Sequence, residues 1–580
     1  MKAQDLQLTQ LLEGSKQFII PIFQRTYSWE KSHCEQLWKD IIRVGSSSEL
    51  DSHFIGSVVY IPEESTGAAI SRWLVIDGQQ RITTITLLLL AFMRKLKIDN
   101  LEEPVTADLV EDYFLKNRYG KGELSYKMLL TRTDKDSLNA LVDGKNLGEG
   151  SSHRIAENFA FFTSQMEKAD LGVVYRGLRK LMIVDVRLQH GIDNPQMIFE
   201  SMNSTGKALT QADLIRNFIL MRLDHDLQTR LYNDHWRPME VEFGAENYIR
   251  LFDEFVRYFL VIQTRNPKIR RRDVYDEFKA YARRHDVEDL LASLKEFAGY
   301  YCRLALGKEL DPDILKAVHD IRELKVDVCY PMLMEVYEDF VNNLISKDEF
   351  VEILRMVESY VFRRVVCDIP TNSLNQTFAT FMRQVDKDRY VESVKAAFLL
   401  LPSYRRFPGD EEFIRQIQIR NLYKFNRRSY WLRRYENFGR KERVYVQDYT
   451  IEHIMPQNES LNQRWRDDLG ADWERTHEQY LHTLGNLTLT GYNSEYSDRP
   501  FAEKRDMQGG FAQSPLKLNE DLRECQRWDE AAIQKRAKLL AKNAAHIWKA
   551  PSLESQVLES YRPKEKKRTE YSIADHRHLA

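Results

Sequence analysis

Two short apolar segments near the C-terminus constrain the fold of this chain more than any other feature. The first is Tyr449–Gln457, in which Glu452 and His453 end an apolar run that Pro456 stops. The second, about thirty residues later, is Leu484–Leu489. Short apolar runs bounded by turn residues are typical of strands. The two segments therefore predict a β-hairpin, with a short helix after it.

The polar residues of these segments suit phosphodiester hydrolysis at a divalent cation. Glu452 and Asn493 offer a carboxylate and an amide oxygen, the kind of ligand that Mg²⁺ prefers. A neutral histidine accepts a proton near working pH, so His453 is the candidate general base. Asn486 is expected to fix the loop, or the tautomer of the histidine, by hydrogen bonding. Adjacent strand residues point to opposite faces, so Glu452 and His453 converge only if the strand end twists. The alternative for an isolated Glu-His pair is a buried structural histidine.

Composition limits the class of protein. A chain of 580 residues is too long for one hydrophobic core, so about three domains are expected. The net charge is -2, so contact with nucleic acid has to use local basic surfaces. The five cysteines form no C-x-x-C pair, which argues against a zinc knuckle and a disulfide framework and predicts a cytoplasmic location. No apolar run is long enough to span a membrane.

A strand–turn–helix pattern in the N-terminal part predicts an anion site. The strand Trp73–Ile76 ends at Asp77–Arg81, and Thr83 or Thr84 is expected to cap a helix that starts near Ile85. The glycine of the turn allows close backbone approach, the first amides of the helix attract an anion, and the arginine matches phosphate oxygens. The two glutamines can bond a base or a sugar. An ordinary turn with a solvated arginine is an equally good interpretation of these residues.

An aromatic and basic patch precedes that turn. Its members are Phe23, Gln24, Arg25, Tyr27 and Trp29. Tyrosine and tryptophan beside arginine suit stacking against a base or a nucleotide. Core packing is the alternative, and from the residues alone it is favoured for Phe23 and Trp29.

A segment rich in arginine and aromatic residues, 404–445, lies directly before the candidate catalytic strands. Such a segment favours salt-sensitive attachment to the phosphate backbone of DNA. In the alternative, the aromatic rings face the core of a helix and the arginines extend to solvent. The candidate DNA contacts are Arg427, Arg428, Arg433, Arg434 and, on the helix after the hairpin, Lys504.

Four motifs carry a resemblance to a known family. The C-terminal one resembles an HNH endonuclease of the ββα-metal type, in the subclass that ends GmrSD-type modification-dependent restriction enzymes. The N-terminal ones resemble the ParB-like nucleotide-binding domain of the same enzymes. The motif residues are Glu452–Gln457, Leu484–Leu489, Asn493, Phe501 and Lys504; Ile20–Trp29; Asp77–Thr84; and Phe199–Asn217, where Thr210 and Asp213 are expected to form a capping box.

The resemblance implies a bacterial anti-phage endonuclease that cleaves modified foreign DNA, such as DNA with glucosylated hydroxymethylcytosine. It implies a nucleoside triphosphate in the N-terminal domain and Mg²⁺ or another divalent cation at the nuclease site, with Glu452 and Asn493 as ligands. Asn493 stands where the family pattern often has a histidine. The implied nucleotide-binding residues are Asp77, Gly78, Gln79, Gln80, Arg81, Thr83, Gln24, Arg25 and Tyr27.

The predicted architecture is α+β and multidomain. It comprises a ParB-like domain at 1–225, a helical region at 226–403, an HNH domain at 404–550 and a flexible tail at 551–580. Two other functions remain open: a nucleotide-switched DNA sensor, for instance of phosphorothioate-modified DNA, and an NTPase acting on a protein partner. The oligomeric state also remains open, a homo-oligomer included.

Overall fold

A computed structural model describes residues 1–63, 70–99, 105–202, 209–221, 223–425 and 428–562. The chain forms two compact units. The first is Met1–Asp253 with Arg272–Ala292, and the second is Glu254–Arg271 with Ser293–Ala580. The predicted domain boundaries near 225, 403 and 550 stay predictions. Within the described ranges, no helix is both long and apolar enough to cross a membrane.

A six-stranded mixed sheet organises the first unit. Its strands lie in the order β1-β6-β3-β4-β2-β5. The central strand β4 runs antiparallel to β3 and parallel to β2, which is in turn parallel to β5. β6 runs parallel to β3 and antiparallel to β1. The strands are β1 (Lys2–Gln7), β2 (Lys16–Ile19), β3 (His53–Pro62), β4 (Ser71–Asp77), β5 (Met128–Leu129) and β6 (Leu181–Arg187).

Successive side chains of these strands pack alternately into two separate hydrophobic cores. Val58, Tyr60 and Val75 point into the larger core, whereas their neighbours Val59 and Ile76 point into a smaller one on the opposite face. This period of two is what a sheet covered on both faces requires. The larger core contains the helices Lys31–Ser46, Gln79–Leu96, His153–Met166 and Leu171–Arg179. Beside the smaller core lie the helices Pro195–Met202 and Gln211–Leu220.

The helix after β4 begins earlier than the sequence predicts. It starts at Gln79, with Gly78 before it in the left-handed region at φ 92°. Thr83 and Thr84 are therefore buried inside the helix and cap nothing. Threonine is a good N-cap, but inside a helix its hydroxyl can bond the carbonyl four residues earlier. Thr84 does so, donating to the carbonyl of Gln80 at 2.8 Å.

Helices build most of the second unit, as the predicted helical middle region implies. The apolar spacing of this stretch predicts such amphipathic helices. Its last described helix, Ser555–Ser560, lies in the predicted flexible tail, and residues 563–580 are outside the described residues. The longer helices between 245 and 420 are Ala245–Thr264, Val287–Ala305, Pro312–Leu324, Tyr330–Val341, Lys347–Val366, Tyr390–Leu399 and Asp410–Ile419. Further on lie Arg428–Asn437 and Glu530–Ile547.

Candidate active site

The two apolar segments Tyr449–Gln457 and Leu484–Leu489 pair as strands in the second unit. β7 (Thr450–His453) lies antiparallel to β8 (Leu487–Thr490). The register sets Glu452 opposite Thr488 and His453 opposite Leu487. The predicted strand pairing is confirmed. Two short helices, Gln463–Leu469 and Trp473–Tyr480, fill the connection between the strands, so the turn is long.

The carboxylate of Glu452 is buried against an ammonium group. Lys504 Nζ lies 2.6 Å from Glu452 Oε1 and donates to the carbonyls of His453 and Ile454 at 3.2 Å. The Lys504 side chain is 0% exposed. Burial raises the pKa of Glu452 to about 7, against the opposing effect of Lys504. Burial also lowers the pKa of Lys504.

His453 has different neighbours from Glu452, as expected for adjacent residues of a strand. His453 Nε2 lies 3.0 Å from His482 Nδ1. The ring of Tyr423 packs on both histidines, edge-on to His453 at 4.5 Å and nearly parallel to His482 at 5.2 Å. His453 is buried and His482 is partly exposed. Burial, followed by the charge of Lys424, lowers the pKa of His482.

Asn486 fixes the loop that leads into β8, one of the two roles that the sequence suggests for it. Its Oδ1 accepts from the Met455 amide at 2.7 Å and from Trp528 Nε1 at 3.1 Å. Its Nδ2 donates to the carbonyls of Met455 and Leu481, each at 3.0 Å. The side chain is fully buried. Asn486 therefore ties the end of β7 to the turn before β8.

Gly485 lets a helix approach this loop closely. A Cβ atom at Gly485 would lie 2.4 Å from the carbonyl oxygen of Ile533, in the helix Glu530–Ile547. Arg536 of that helix donates to the carbonyls of Leu484, Gly485 and Leu487 at 3.2, 3.0 and 2.9 Å. The Gly-Asn pair of the motif thus serves packing and loop bracing together.

Asn493 and Glu452 are oxygen donors of the type that suits Mg²⁺. Asn493 begins the short helix Asn493–Tyr496, and its Nδ2 donates to the Ile451 carbonyl at 3.1 Å. That bond holds the side-chain amide of Asn493 beside Ile451, the residue before Glu452. The chemistry of Glu452 and Asn493 therefore fits a divalent cation. In this structure the positive charge beside the Glu452 carboxylate is the ammonium group of Lys504.

The predicted DNA contacts are placed differently from what the sequence suggested. Arg433 binds Asp320 and Glu323, and Arg434 binds Glu358. Arg433 and Arg434 side chains are only 16% and 13% exposed. Arg433 and Arg434 form an interior ion-pair network. The aromatic residues of their helix are buried, and the aliphatic parts of the two arginine side chains pack on the same side. Lys504 is likewise in the interior. Arg427 and the side chain of Arg428 lie outside the described residues.

Sequence reasoning missed His482 and gave no role to Tyr423 or Lys424. The backbone amide of Leu422 donates to the carbonyl of His482 at 2.9 Å, which brings this segment to the site. Lys424 is exposed. A signal was available, since Tyr423 and Lys424 belong to the segment 404–445 and His482 stands four residues before Asn486.

In the first unit, the predicted nucleotide-binding glutamines bind the protein itself. Gln24 Nε2 donates to the Ile76 carbonyl at 3.0 Å, and Gln79 Nε2 donates to Gln24 Oε1 at 3.1 Å. Gln80 Oε1 accepts from the amides of Ser28 and Trp29 at 2.8 and 3.2 Å. These bonds hold the segment before residue 30 against the start of the helix.

Tyr27 and Thr83 are also interior residues. The Tyr27 hydroxyl lies 2.6 Å from Thr84 Oγ1 and accepts from Asn158 Nδ2 at 3.0 Å. Thr83 is 2% exposed. Among the predicted nucleotide-binding residues, the side chains that keep access to solvent are therefore the charged ones, Arg25, Asp77 and Arg81.

Those charged residues lie where the three N-terminal motifs meet. Arg81 donates to the Ser57 carbonyl at 2.8 Å. Arg25 is close enough to Asp77 and Asp213 for their charges to oppose the burial that lowers its pKa. Arg216 donates to the Phe23 carbonyl at 2.8 Å and to Asp213 at 2.8 Å. The residues Thr210 and Asp213 form the predicted capping box. Asn203 and Gly206 of the same motif are outside the described residues.

Comparison with known families matches both ends of the chain. The model "GmrSD restriction endonuclease, N-terminal domain" matches residues 8–220. The model "GmrSD restriction endonucleases, C-terminal domain" matches residues 407–543 and so covers β7, β8 and the site around them. No curated protein matches the chain. The two family matches together cover more than half of the 580 residues, and each motif lies inside one of them. The chain therefore belongs to the GmrSD restriction endonuclease family.

Proposed function

We propose that this chain is a divalent-metal-dependent DNA endonuclease of the HNH type, with His453 as the general base. The observation that carries the proposal is the β7–β8 pair. It sets Glu452 and His453 next to each other on β7, the amide of Asn493 bonds the carbonyl of Ile451, and Asn486 braces the loop after β7. A restriction endonuclease needs a proton acceptor and a charge-stabilising group at the scissile phosphate, and this strand end offers both.

In this mechanism the chain's own residues do most of the positioning. His453 takes the proton of the attacking water, and its ring is held by His482 and Tyr423. Glu452 and Asn493 would hold a divalent cation, which neutralises charge on the phosphate and assists the leaving oxygen. Lys504 keeps the Glu452 carboxylate from being a lone buried charge in the absence of that cation.

The test is cleavage of DNA by wild type and His453→Ala with Mg²⁺ and with EDTA. We expect EDTA to stop cleavage and His453→Ala to lower the rate by about 10² to 10⁴, the usual contribution of a general base. His546→Ala is the matched control, because His546 is an exposed histidine in the same unit. Cleavage by His453→Ala at the wild-type rate, with the melting temperature unchanged, would rule out this site.

We further propose that the substrate is modified foreign DNA and that a nucleoside triphosphate in the first unit regulates cleavage. Arg25, Asp77 and Arg81 remain partly exposed around the left-handed Gly78. The helix that follows is 18 residues long, so its first amides favour an anion there. The informative experiment is cleavage of plain and glucosylated phage DNA, with and without each nucleotide.

A second candidate is a nucleotide-switched DNA sensor whose HNH unit is only structural. The observation that favours it is the Lys504 ammonium on the candidate metal ligand Glu452. This candidate predicts salt-sensitive retention of modified DNA, including phosphorothioate DNA, with no metal-dependent cleavage. Plasmid nicking with Mg²⁺ decides between the two, because a sensor leaves the plasmid supercoiled.

A further inference from the structure

His482 is a histidine that no motif of the family resemblance includes, yet it touches the candidate general base. Its Nδ1 lies 3.0 Å from His453 Nε2, within hydrogen-bond distance. We propose that His482 is a positioning residue, which accepts the Nε2–H of His453 and thereby fixes the ring and tautomer in which His453 takes a proton. The inference rests on the proposed nuclease function of this site.

A neutral imidazole carries one donor and one acceptor nitrogen, so the contact between the two rings selects tautomers. With its hydrogen on Nε2, the basic lone pair of the His453 ring lies on Nδ1. The direction of the bond follows if His482 is neutral, because only a neutral His482 has a lone pair at Nδ1. Burial, with Lys424 and His477 nearby, lowers the pKa of His482 and so favours that neutral form.

Three interactions hold His482 and its loop in place. Tyr423 stacks on it with ring planes 10° apart. The backbone amide of Leu422 donates to its carbonyl at 2.9 Å. Four residues further on, Asn486 ties the same loop to Met455. A partner held this firmly can hold His453 in turn, and loss of such supporting bonds at metal sites typically costs about 10- to 100-fold in activity.

The competing explanation is that His482 only fills space against Tyr423. Two variants separate the explanations. His482→Phe keeps an aromatic ring for Tyr423 and removes the nitrogen, whereas His482→Asn removes the ring and keeps a polar group near the position of Nδ1. A packing role predicts that Phe is tolerated better than Asn, and a positioning role predicts the opposite order.

The first measurement is plasmid nicking at saturating Mg²⁺, with kcat and KM determined for both variants. We expect His482→Phe to lower kcat about 10- to 100-fold with KM unchanged, and His482→Asn to stay within about fivefold of wild type. Equal melting temperatures and equal DNA retention show that both variants are folded. A wild-type kcat for His482→Phe, or a larger loss for Asn than for Phe, overturns the proposal.

The second measurement does not depend on cleavage. Ring ¹⁵N spectra of the histidine-labelled full chain report the tautomer of each histidine, and His453→Gln assigns the His453 signals among the 14 histidines. We expect the His453 Nε2 signal to shift in His482→Phe. If it does not shift, the hydrogen bond is absent and the proposal fails even for an active enzyme. If it shifts but wild type cuts no DNA, the nuclease assignment fails, and the positioning role with it.

Discussion

The polar motifs of the two units use their side chains in different ways. In the first unit, Gln24, Gln79 and Gln80 bond a carbonyl, another glutamine and two backbone amides. In the second unit, Glu452 and His453 each bond another titratable side chain. Amide side chains stay uncharged over the working pH range, whereas each pair of titratable groups can gain or lose a proton.

Under the proposed function, this difference separates residues that build a site from residues that react in it. The glutamines hold a loop in place, and only the charged residues around them keep access to a ligand. Both members of each pair at β7 are titratable, and burial raises the pKa of Glu452. Four predictions test the contrast, from the largest expected effect to the smallest.

The largest effect is expected for Gly485→Ala in the second unit. Its Cβ would lie 2.4 Å from the Ile533 carbonyl, so the helix Glu530–Ile547 has to move away from the loop that carries Asn486. We expect a destabilisation of about 1–3 kcal/mol, typical of overpacking, and at least a 100-fold loss of cleavage, because about 1 Å of misplacement costs that much. Thermal melting and plasmid nicking measure both effects.

Gly491→Ala is the matched control, because nothing lies within 4 Å of a Cβ there. If Gly485→Ala melts and cleaves like Gly491→Ala, the loop is not held by this close approach.

The next effect is expected for Gln80→Ala in the first unit. The amides of Ser28 and Trp29 lose their acceptor, and each half-buried unpaired donor costs about 1 kcal/mol or more. The melting temperature of the first unit should fall, whereas His453→Ala, a change in the second unit, should leave the melting of the first unit unchanged. Gln36→Ala, an exposed glutamine of the same unit, should change nothing. An unchanged melting profile for Gln80→Ala would remove the distinction between the two regions.

A pH-dependent effect is expected for Glu452. The pKa of its carboxyl is raised to about 7 in the folded state, so the neutral form is favoured there. The stability that this shift contributes is complete below the unfolded pKa of about 4.5 and is lost as the pH rises through 7. In EDTA, the melting temperature of wild type relative to Glu452→Gln should therefore fall between pH 4.5 and 7. Apparent Mg²⁺ affinity should rise over the same interval, because the metal needs the carboxylate.

A melting difference between wild type and Glu452→Gln that is constant from pH 4.5 to 8 would contradict the raised pKa. A constant difference would mean that Glu452 stays ionised beside Lys504 over this whole pH range.

The smallest effect is expected for Tyr27→Phe. The variant loses the hydroxyl between Thr84 and Asn158, a change worth about 1 kcal/mol. Nucleotide affinity should stay within about twofold of wild type, since Tyr27 is 5% exposed and faces the interior. Tyr119→Phe, with Tyr119 91% exposed, controls for the loss of a hydroxyl alone. A large loss of nucleotide affinity in Tyr27→Phe would restore the ligand contact that the sequence suggested.

Local patterns gave the elements of the site correctly and its contacts only in part. The pairing of β7 with β8, the glycine turn after β4 and the capping box of Thr210 and Asp213 follow from a few neighbouring residues. Arg433 and Arg434 were misplaced because the same pattern of arginine and aromatic residues suits a DNA-binding surface and an amphipathic helix. The acidic partners Asp320, Glu323 and Glu358 lie 75 to 115 residues away in the chain, so the local sequence could not choose.

The sequence by itself determined the family, the α+β class and the order of the motifs, because these depend on residue types and short-range spacing. Only the tertiary structure decided which polar groups face one another. It set Lys504 on Glu452 and His482 on His453, contacts across 52 and 29 residues. Strand alternation points Glu452 and His453 to different sides of β7. Which side chain each of them meets there depends on how distant segments of the chain pack. The chemistry of this site was therefore settled by packing, not by the motif alone.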